Sequence, residues 1–290
     1  MIATVIFGGL GNQMFIYATC RAMSLRLETP LAINIKQGFK DDILYHRNYE
    51  LDAFNVKFQE SGISSFNIPF AKIWRKLSRI IGFNILAPSY SFFKEKIFNS
   101  GIDERILTTS KRNVFLEGYW INPRYFEEYE GIIRGDFTIK CPIPSEVLEE
   151  EHEIFSEHNK TPVCIGVRRY QECTDKIKKT MTQTDKDYYF NAMDSIAKEI
   201  GNPVFYIFSQ DQDWFKRNVA NNTKYDIRYI QSLNKRAIDD LYLMTKFKYH
   251  IISNSTFYWW GAWLAKSEMV IIPSCYENIK SSSKNWIVIK

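Results

Sequence analysis

Residues 251–263 read Ile251-Ile252-Ser253-Asn254-Ser255-Thr256-Phe257-Tyr258-Trp259-Trp260-Gly261-Ala262-Trp263, an apolar strand that passes through four small polar residues into an aromatic helix. The first N–H groups of a helix have no intrahelical partner, and the helix dipole places partial positive charge there. With the hydroxyl groups of Ser253, Ser255 and Thr256 beside them, they predict a phosphate-binding site. The simpler interpretation is that a serine or asparagine side chain caps a core helix.

Two other segments repeat this pattern of a strand that runs into a polar or glycine-rich loop. At the start of the chain, a strand over residues 3–7 leads into Gly8-Gly9-Leu10-Gly11-Asn12-Gln13 and an apolar helix that ends near residue 27. Glycines there allow the backbone to approach a ligand closely. In mid-chain, a strand over residues 163–167 ends in Arg168 and Arg169, which indicate an anion site or, more simply, a surface ion pair.

The three segments together resemble the bacterial α-1,2-fucosyltransferases of glycosyltransferase family 11. The resemblance is carried by Gly8-Gly9-Leu10-Gly11-Asn12-Gln13-Met14-Phe15 with Tyr17-Ala18, by Arg168-Arg169, and by Ser253-Asn254-Ser255-Thr256-Phe257 before Trp259-Trp260-Gly261-Ala262. Weaker matches lie between them, at Tyr49-Glu50-Leu51, Gly118-Tyr119-Trp120, Tyr188-Tyr189 and Phe208-Ser209. The similarity therefore runs through nearly the whole chain in order.

The resemblance implies an inverting, metal-independent transfer of fucose from GDP-fucose, the donor substrate, to the 2-hydroxyl of a terminal galactoside in a surface glycan or oligosaccharide. No cofactor is expected. Arg168 corresponds to the essential arginine of that family, and a guanidinium can bind two oxygens of a departing diphosphate. Asn12 is the second expected catalytic residue, since its amide can contact the phosphate or the sugar. The expected donor-binding residues are Gly9, Gly11, Arg169, Asp211, Asp240, Ser253, Asn254, Ser255 and Thr256.

Strand-like and helix-like segments alternate along the chain, which predicts parallel βα units. The pattern breaks at Cys141-Pro142-Ile143-Pro144, where we place a domain boundary. We expect an α/β protein of two Rossmann-like, doubly wound domains facing a cleft, the GT-B type that the resemblance also implies. Residues 1–143 would be the acceptor side and residues 144–290 the nucleotide-sugar donor side. Residues 55–112 are less regular and include a basic amphipathic stretch at residues 72–81.

Two competing interpretations of single motifs are weaker. Residues 9–14 nearly match the dinucleotide-binding pattern G-x-G-x-x-G, but Met14 stands at the third glycine and the second strand ends at Asn34 rather than at an acidic residue. Asp211-Gln212-Asp213 has the spacing of a divalent-cation site, yet a helix cap at Asp211 explains it as well. We favour the cap, and the four scattered histidines show no metal-ligand spacing.

Several assignments stay open. Asp240 matches an aspartate that faces guanine in related fucosyltransferases, although an acid in the first turn of a helix is nearly as good an explanation. Glu172 and Asp175 are weak possibilities for the general base. Relatives read His-x-Arg-Arg-Gly-Asp-Tyr where this chain has Gly166 and Gln171 at the histidine and aspartate positions. The alternatives are therefore another nucleotide-sugar transferase of surface-polysaccharide assembly, or a catalytically weakened sugar-nucleotide binding protein.

Composition restricts the partners. The 290 residues carry 38 Lys+Arg against 33 Asp+Glu, a net charge of +5 that is too mild to indicate nucleic acid. The five cysteines form no C-x-x-C pair, which suits a reducing compartment. No apolar run reaches the roughly 18 residues of a membrane span. We expect a cytoplasmic protein, in peripheral contact with the inner face of the membrane if its acceptor is lipid-linked; the oligomeric state stays open.

Overall fold

The computed structural model describes residues 1–40, 42–43, 45–63, 90–95, 101–170, 183–231 and 236–289. It divides into two compact units, Met1–Lys140 and Cys141–Lys290. The basic stretch at residues 72–81 and the two carboxylates weighed as general bases, Glu172 and Asp175, lie outside the described residues.

The N-terminal unit is built on a parallel sheet with the strand order β3-β2-β1-β5-β4. Its strands are β1 (Ile2–Val5), β2 (Leu31–Asn34), β3 (Gln59–Glu60), β4 (Ser91–Lys94) and β5 (Val114–Glu117). Its described helices are α1 (Leu10–Arg26), α2 (Glu104–Thr108) and α3 (Glu130–Asp136), with short 3₁₀ turns at Gln37–Phe39, Leu51–Ala53, Pro123–Tyr125 and Glu127–Tyr129. Most of α1 is buried, which explains why its sequence is apolar on nearly every side.

The C-terminal unit contains a six-stranded parallel sheet, β11-β10-β9-β6-β7-β8. Its strands are β6 (Thr161–Val167), β7 (Pro203–Ser209), β8 (Asp226–Tyr229), β9 (Tyr249–Ile252), β10 (Met269–Pro273) and β11 (Trp286–Ile289). Its described helices are α4 (Ser145–Phe155), α5 (Lys186–Glu199), α6 (Gln212–Asn218), α7 (Ala237–Met244) and α8 (Thr256–Leu264), with 3₁₀ turns at Ala220–Asn222 and Ser274–Ile279. Read from β8, the order is that of a doubly wound nucleotide-binding fold.

Each sheet has a point where the strand order reverses, between β1 and β5 in the first unit and between β6 and β9 in the second. Ligands of such sheets bind beyond the carboxyl ends of the strands at this switch point. The predicted α/β fold with parallel sheets is confirmed. Central strands such as β6 and β9 are buried on both faces, so they appear in the sequence as unbroken apolar runs.

Candidate functional site

The arginine pair and the Ser-Asn-Ser-Thr run meet at the switch point of the C-terminal unit. Strands β6 and β9 are parallel neighbours, and the pairing of Gly166 with Ile252 is their last register position. The next backbone bond continues it, because Ser253 N–H donates to the Gly166 carbonyl at 3.1 Å. Two segments that are about 85 residues apart in the sequence therefore end side by side, and Arg168 follows two residues after this bond.

Helix α8 begins without a side-chain cap. Ser255 occupies the N-cap position with extended backbone, but its hydroxyl makes no capping hydrogen bond. The hydroxyl of Ser253 is fully buried and has no hydrogen-bond partner of good geometry among the described residues, although it lies beside the Tyr189 hydroxyl. The simple capping interpretation therefore does not hold for the Ser255 side chain, and the start of α8 stays a predicted anion site.

Two contacts orient the guanidinium of Arg168. Its Nη1 donates to Gln210 Oε1 at 2.6 Å, just beyond the end of β7, and its guanidinium lies 4.9 Å from the centre of the Tyr170 ring. These two contacts orient the guanidinium, whose planar fork can bind two oxygens of an anion.

Arg169 is tied into the protein differently. Its Nη1 donates to the Thr184 carbonyl at 2.9 Å, and the guanidinium stacks 3.8 Å from the centre of the Trp214 ring. Burial lowers the pKa of Arg169, which still stays charged at neutral pH. The two arginines are therefore not equivalent, and the contacts of Arg169 are those of a residue that braces its loop.

The departures from the family pattern have a structural cause. A Cβ atom on Gly166 would lie 2.3 Å from Cγ of Tyr258, so the tyrosine ring occupies the space that a larger side chain at residue 166 would need. The Tyr258 hydroxyl donates to the Val167 carbonyl at 3.2 Å. Tyr170, which stands at the glycine position of the pattern, has φ of +54° and donates its hydroxyl to the Asn254 carbonyl. The Tyr258 ring thus fills the space beside Gly166, and Tyr170 holds a strained left-handed conformation.

Asp240 lies in the first turn of α7, in the same neighbourhood. The charges of Arg168 and Asp240 act on Tyr258 in opposite directions: burial raises the pKa of its hydroxyl, Arg168 lowers it and Asp240 raises it. The preceding residue, Asp239, has a different role, because Arg236 binds both of its carboxylate oxygens, at 2.6 and 2.8 Å. The helix dipole stabilises a carboxylate in the first turn of α7, which applies to both Asp239 and Asp240. Only Asp240 also acts, together with Arg168, on the Tyr258 hydroxyl.

Asp211 caps helix α6. Its Oδ1 accepts from Trp214 N–H at 3.2 Å, as expected for the capping interpretation of the D-x-D sequence. Within the part of the chain that is described, no group of three or more histidine, cysteine, aspartate and glutamate side chains is arranged to hold a metal ion. Asp211 therefore directly follows Gln210, the residue that accepts from Arg168, while its own carboxylate accepts the capping hydrogen bond of α6.

The glycine motif in the N-terminal unit forms the start of α1. Gly9 is its N-cap, Gly11 lies buried in its first turn, and Asn12 N–H donates to the Gly9 carbonyl at 2.9 Å. Gly8 has φ of +80°, and a Cβ there would lie 3.1 Å from Asn12 Nδ2. Gln13 is structural, since its amide bonds the carbonyls of Gly8 and Asn48 at 2.9 and 2.8 Å.

Four residues near these loops were not identified from the sequence. Gln210 and Tyr258 contact or influence Arg168, and Arg47 lies 3.9 Å from the Cβ position of Gly9 while stacking on Tyr45. The fourth, Glu95, follows β4, which was not predicted. No motif marks them; only the arginine in a weak Tyr-x-Arg-x-Tyr segment at residues 45–49 could have been singled out.

Comparisons with known proteins identify the family of the chain. The family model described as glycosyl transferase family 11 matches residues 1–290. An α-1,2-colitosyltransferase of Escherichia coli is 28% identical over 278 residues, covering 93% of this chain and 90% of that protein. The O-antigen biosynthesis glycosyltransferase WbnK of Escherichia coli is 26% identical over 286 residues, 92% of this chain and 91% of that protein.

Solved structures share the fold at low identity. A complex of FUT1 from Arabidopsis thaliana with GDP has a TM-score of 0.55 at 10% identity, covering 93% of this chain and 69% of that one. The NodZ α-1,6-fucosyltransferase soaked with GDP-fucose has a TM-score of 0.50 at 13% identity, covering 94% of both chains. At such identities the likeness supports the two-sheet α/β fold alone. Over the described residues, no helix is both long enough and apolar enough to cross a bilayer.

Proposed function

The chain belongs to glycosyl transferase family 11, and from that membership we propose that it transfers fucose, or a deoxy form of fucose, from its GDP-sugar to the 2-hydroxyl of a terminal galactoside. The transfer inverts the anomeric carbon. The acceptor is part of a surface glycan or oligosaccharide. We further propose that the C-terminal unit binds the donor and that the N-terminal unit binds the acceptor.

One observation carries the proposal: Arg168 and the uncapped start of α8 lie side by side beyond β6 and β9. A diphosphate that leaves an anomeric carbon gains negative charge as the bond breaks, and it needs fixed positive groups at that moment. The guanidinium of Arg168, oriented by Gln210, supplies full charge. The first N–H groups of α8, beside Ser255 and Thr256, supply partial charge.

The remaining residues have supporting roles in this mechanism. Asp240 reads the guanine edge by accepting its two N–H groups, a bidentate geometry that a carboxylate can satisfy. Arg169 braces the loop through Thr184 and Trp214. Asn12 contacts the sugar or the phosphate from the glycine loop. The proposed chemistry needs neither a metal ion nor a cofactor, because the charge of the leaving group is met by protein groups.

The donor sugar has a second candidate, a 3-deoxy form of fucose such as colitose. The relative that is 28% identical is named as a colitosyltransferase. In this chain the positions of the family histidine and glycine are occupied by the ring of Tyr258 and by Tyr170, which flank Arg168. Aromatic rings there offer fewer polar partners to a sugar hydroxyl, and a site that lacks such a partner discriminates little against the deoxy sugar.

The test is a transfer assay with GDP-fucose, GDP-colitose and UDP-galactose as donors and a β-galactoside as acceptor, with the linkage assigned by NMR. We expect α-1,2 transfer from a GDP-sugar and none from UDP-galactose. Binding of GDP-sugars without transfer or donor hydrolysis would indicate a sugar-nucleotide binding protein instead. Fractionation of cells that make the glycan tests the proposed cytoplasmic location, and salt-sensitive recovery with membranes would support peripheral contact at the inner face.

A further inference from the structure

Glu95 is fixed at the carboxyl edge of the N-terminal sheet. It follows β4 directly, and its Oε2 accepts the Tyr119 N–H at 2.8 Å, while the Trp120 N–H also donates to the carboxylate. Both donors belong to the loop that follows β5, the neighbouring strand. Glu95 is therefore anchored on the backbone by two hydrogen bonds, which hold its carboxylate in one place.

The loop is shaped to admit this carboxylate. A Cβ on Gly118 would lie 2.5 Å from Cβ and 2.9 Å from Oε2 of Glu95, so only glycine permits the approach. Trp120 adopts φ of +53°, a left-handed conformation that costs about 1–2 kcal/mol for a residue with a side chain. Backbone strain of this kind is typical of functional sites, because the surrounding structure must maintain it.

A pocket of about 340 Å³ opens beside Glu95. Its lining includes Trp120, Tyr125, Asp103 and Arg105. The Trp120 side chain is 1% exposed, and its indole N–H has no hydrogen-bond partner among the described residues. A buried donor without a partner is rare in native proteins and is commonly met by a ligand or by water. The combination of aromatic side chains with carboxylate and guanidinium groups suits a saccharide.

Tyr119, which follows Gly118 in the same loop, packs against the glycine motif. The Tyr119 ring lies 4.7 Å from the Phe7 ring, and its Cε1 is 3.1 Å from the Cβ position of Gly8. Asn12 Nδ2 is at the same distance from that position. Tyr119 thus bonds Glu95 through its backbone N–H and contacts the glycine motif through its ring, at the carboxyl end of β5 beside the switch point where ligands of such sheets bind.

Glu95 also differs electrostatically from its acidic neighbours. Burial raises the pKa of Glu95, and the two backbone N–H groups only partly oppose this shift. Among the described residues Glu95 has no ion-pair partner, whereas Glu117 pairs with Lys94 at 2.5 Å and Asp103 accepts from Arg105 Nε at 2.8 Å. The titratable or charged groups nearest Glu95 are Tyr119, Tyr125, Asp103, Glu104 and Arg105.

On the basis of the proposed transfer reaction, we propose that Glu95 is its general base and that this pocket holds the acceptor saccharide. The acceptor O–H bond breaks and its proton passes to the Glu95 carboxylate. The freed oxygen forms a bond to the anomeric carbon. The bond from that carbon to the diphosphate oxygen breaks, and its electron pair leaves with GDP. A carboxyl group with a raised pKa is a stronger base when ionised.

The test compares Glu95→Gln with Glu95→Asp and with Glu117→Gln as a matched control. Glutamine keeps an oxygen that accepts the Tyr119 and Trp120 N–H groups, so a merely structural role survives the change. We expect kcat of Glu95→Gln to fall by about 10²–10⁴-fold, with GDP binding and the thermal midpoint unchanged. Glu95→Asp should keep part of the activity and the acidic limb of the pH profile of kcat, and Glu117→Gln should behave as wild type.

Activity of Glu95→Gln within about tenfold of wild type, with its acidic limb intact, would overturn the assignment. So would a loss of GDP binding in proportion to the loss of turnover, because Glu95 would then support the fold or the donor site. A wild-type protein that transfers from no GDP-sugar would reject the proposed function itself, and an active wild type with an active Glu95→Gln variant rejects the base alone.

Discussion

The two units carry different chemistry at the same position of a similar topology. In the C-terminal unit the strands beside the switch point lead into Arg168 and into Ser253–Thr256, so that edge is cationic and rich in hydroxyls. In the N-terminal unit the corresponding strands lead into glycines and Tyr119, and the neighbouring β4 leads into Glu95. A shared scaffold thus carries cationic and hydroxyl groups in one unit and an anchored carboxylate in the other, and the proposed transfer would use the first for the leaving diphosphate and the second for the acceptor hydroxyl.

The largest effect that would sharpen this comparison is expected at Arg168. Arg168→Lys keeps the charge but loses the planar fork and its orientation by Gln210, so kcat and kcat/KM should fall together by roughly 10²-fold or more. Steady-state kinetics with the active GDP-sugar measure it, after circular dichroism has shown that the variant is folded.

Arg169→Lys is the matched control for this substitution. It is expected to lose less, since Arg169 contacts Thr184 and Trp214 and acts on the loop. A larger loss at Arg169 than at Arg168 would exchange the two roles.

A second comparison concerns stability at low pH, which we expect a buried histidine of the C-terminal unit to reduce. His250 is fully buried in the C-terminal unit, and burial lowers its pKa from 6.5 to about 4. The unfolded chain binds this proton more readily than the folded chain, so the stabilisation is complete above pH 6.5 and is lost as pH falls toward 4. The loss amounts to roughly 3 kcal/mol, at about 1.4 kcal/mol per pKa unit.

Urea unfolding at pH 7.5 and pH 5, followed by tryptophan fluorescence, measures the effect. The same unit provides a control, because His158 is exposed. His250→Asn should reduce the pH dependence of stability and His158→Asn should leave it unchanged. An unaltered pH dependence in His250→Asn would mean that other groups cause the acid sensitivity of this unit.

The replacement of the family histidine offers a smaller test of the C-terminal site. Gly166→Ala places a Cβ against the buried Tyr258 ring and should cost about 1–3 kcal/mol of stability through overpacking. Gly201→Ala is the control, since its Cβ would meet no atom within 4 Å. If thermal unfolding shows equal midpoints for the two variants, Tyr258 moves aside readily and does not fill the position of the histidine.

The smallest expected effect is that of a chelator. With charge on the leaving group met by Arg168 and α8, excess EDTA should leave the transfer rate unchanged. The rate of product formation before and after dialysis against EDTA measures this. Complete loss of activity that Mn²⁺ or Mg²⁺ restores would contradict the metal-independent mechanism and would return Asp211 and Asp213 to consideration as ligands.

The sequence was sufficient for elements whose own residues decide their structure. The buried strands β6, β7, β9 and β10 are mostly apolar, and the spacing between them allowed the doubly wound order to be expected. Strands β3, β4 and β11 were not predicted. All three are edge strands of two to four residues, too short to show a periodic pattern of their own.

The candidate site also contains residues that local motifs identify and residues that only tertiary contacts identify. The motifs identified the arginines, the glycine loop and the polar run, which are local in the sequence. Glu95 was missed because its importance depends on backbone donors from a different strand and on the absence of a side chain at Gly118. The reason for Gly166 was missed for a similar cause, since Tyr258 is about 90 residues away in the sequence. Such contacts are tertiary, and no local pattern reports them.

Hydrogen–deuterium exchange with and without GDP tests the central claim, that the diphosphate binds at the switch point of the C-terminal unit. The amides of the first turn of α8, in residues 256–258, and those that follow β6 should exchange more slowly with GDP, because the bound anion accepts hydrogen bonds from N–H groups there. The glycine motif at residues 8–13 should change little in the absence of a sugar. Protection confined to residues 8–13, with none at the start of α8, would contradict the account.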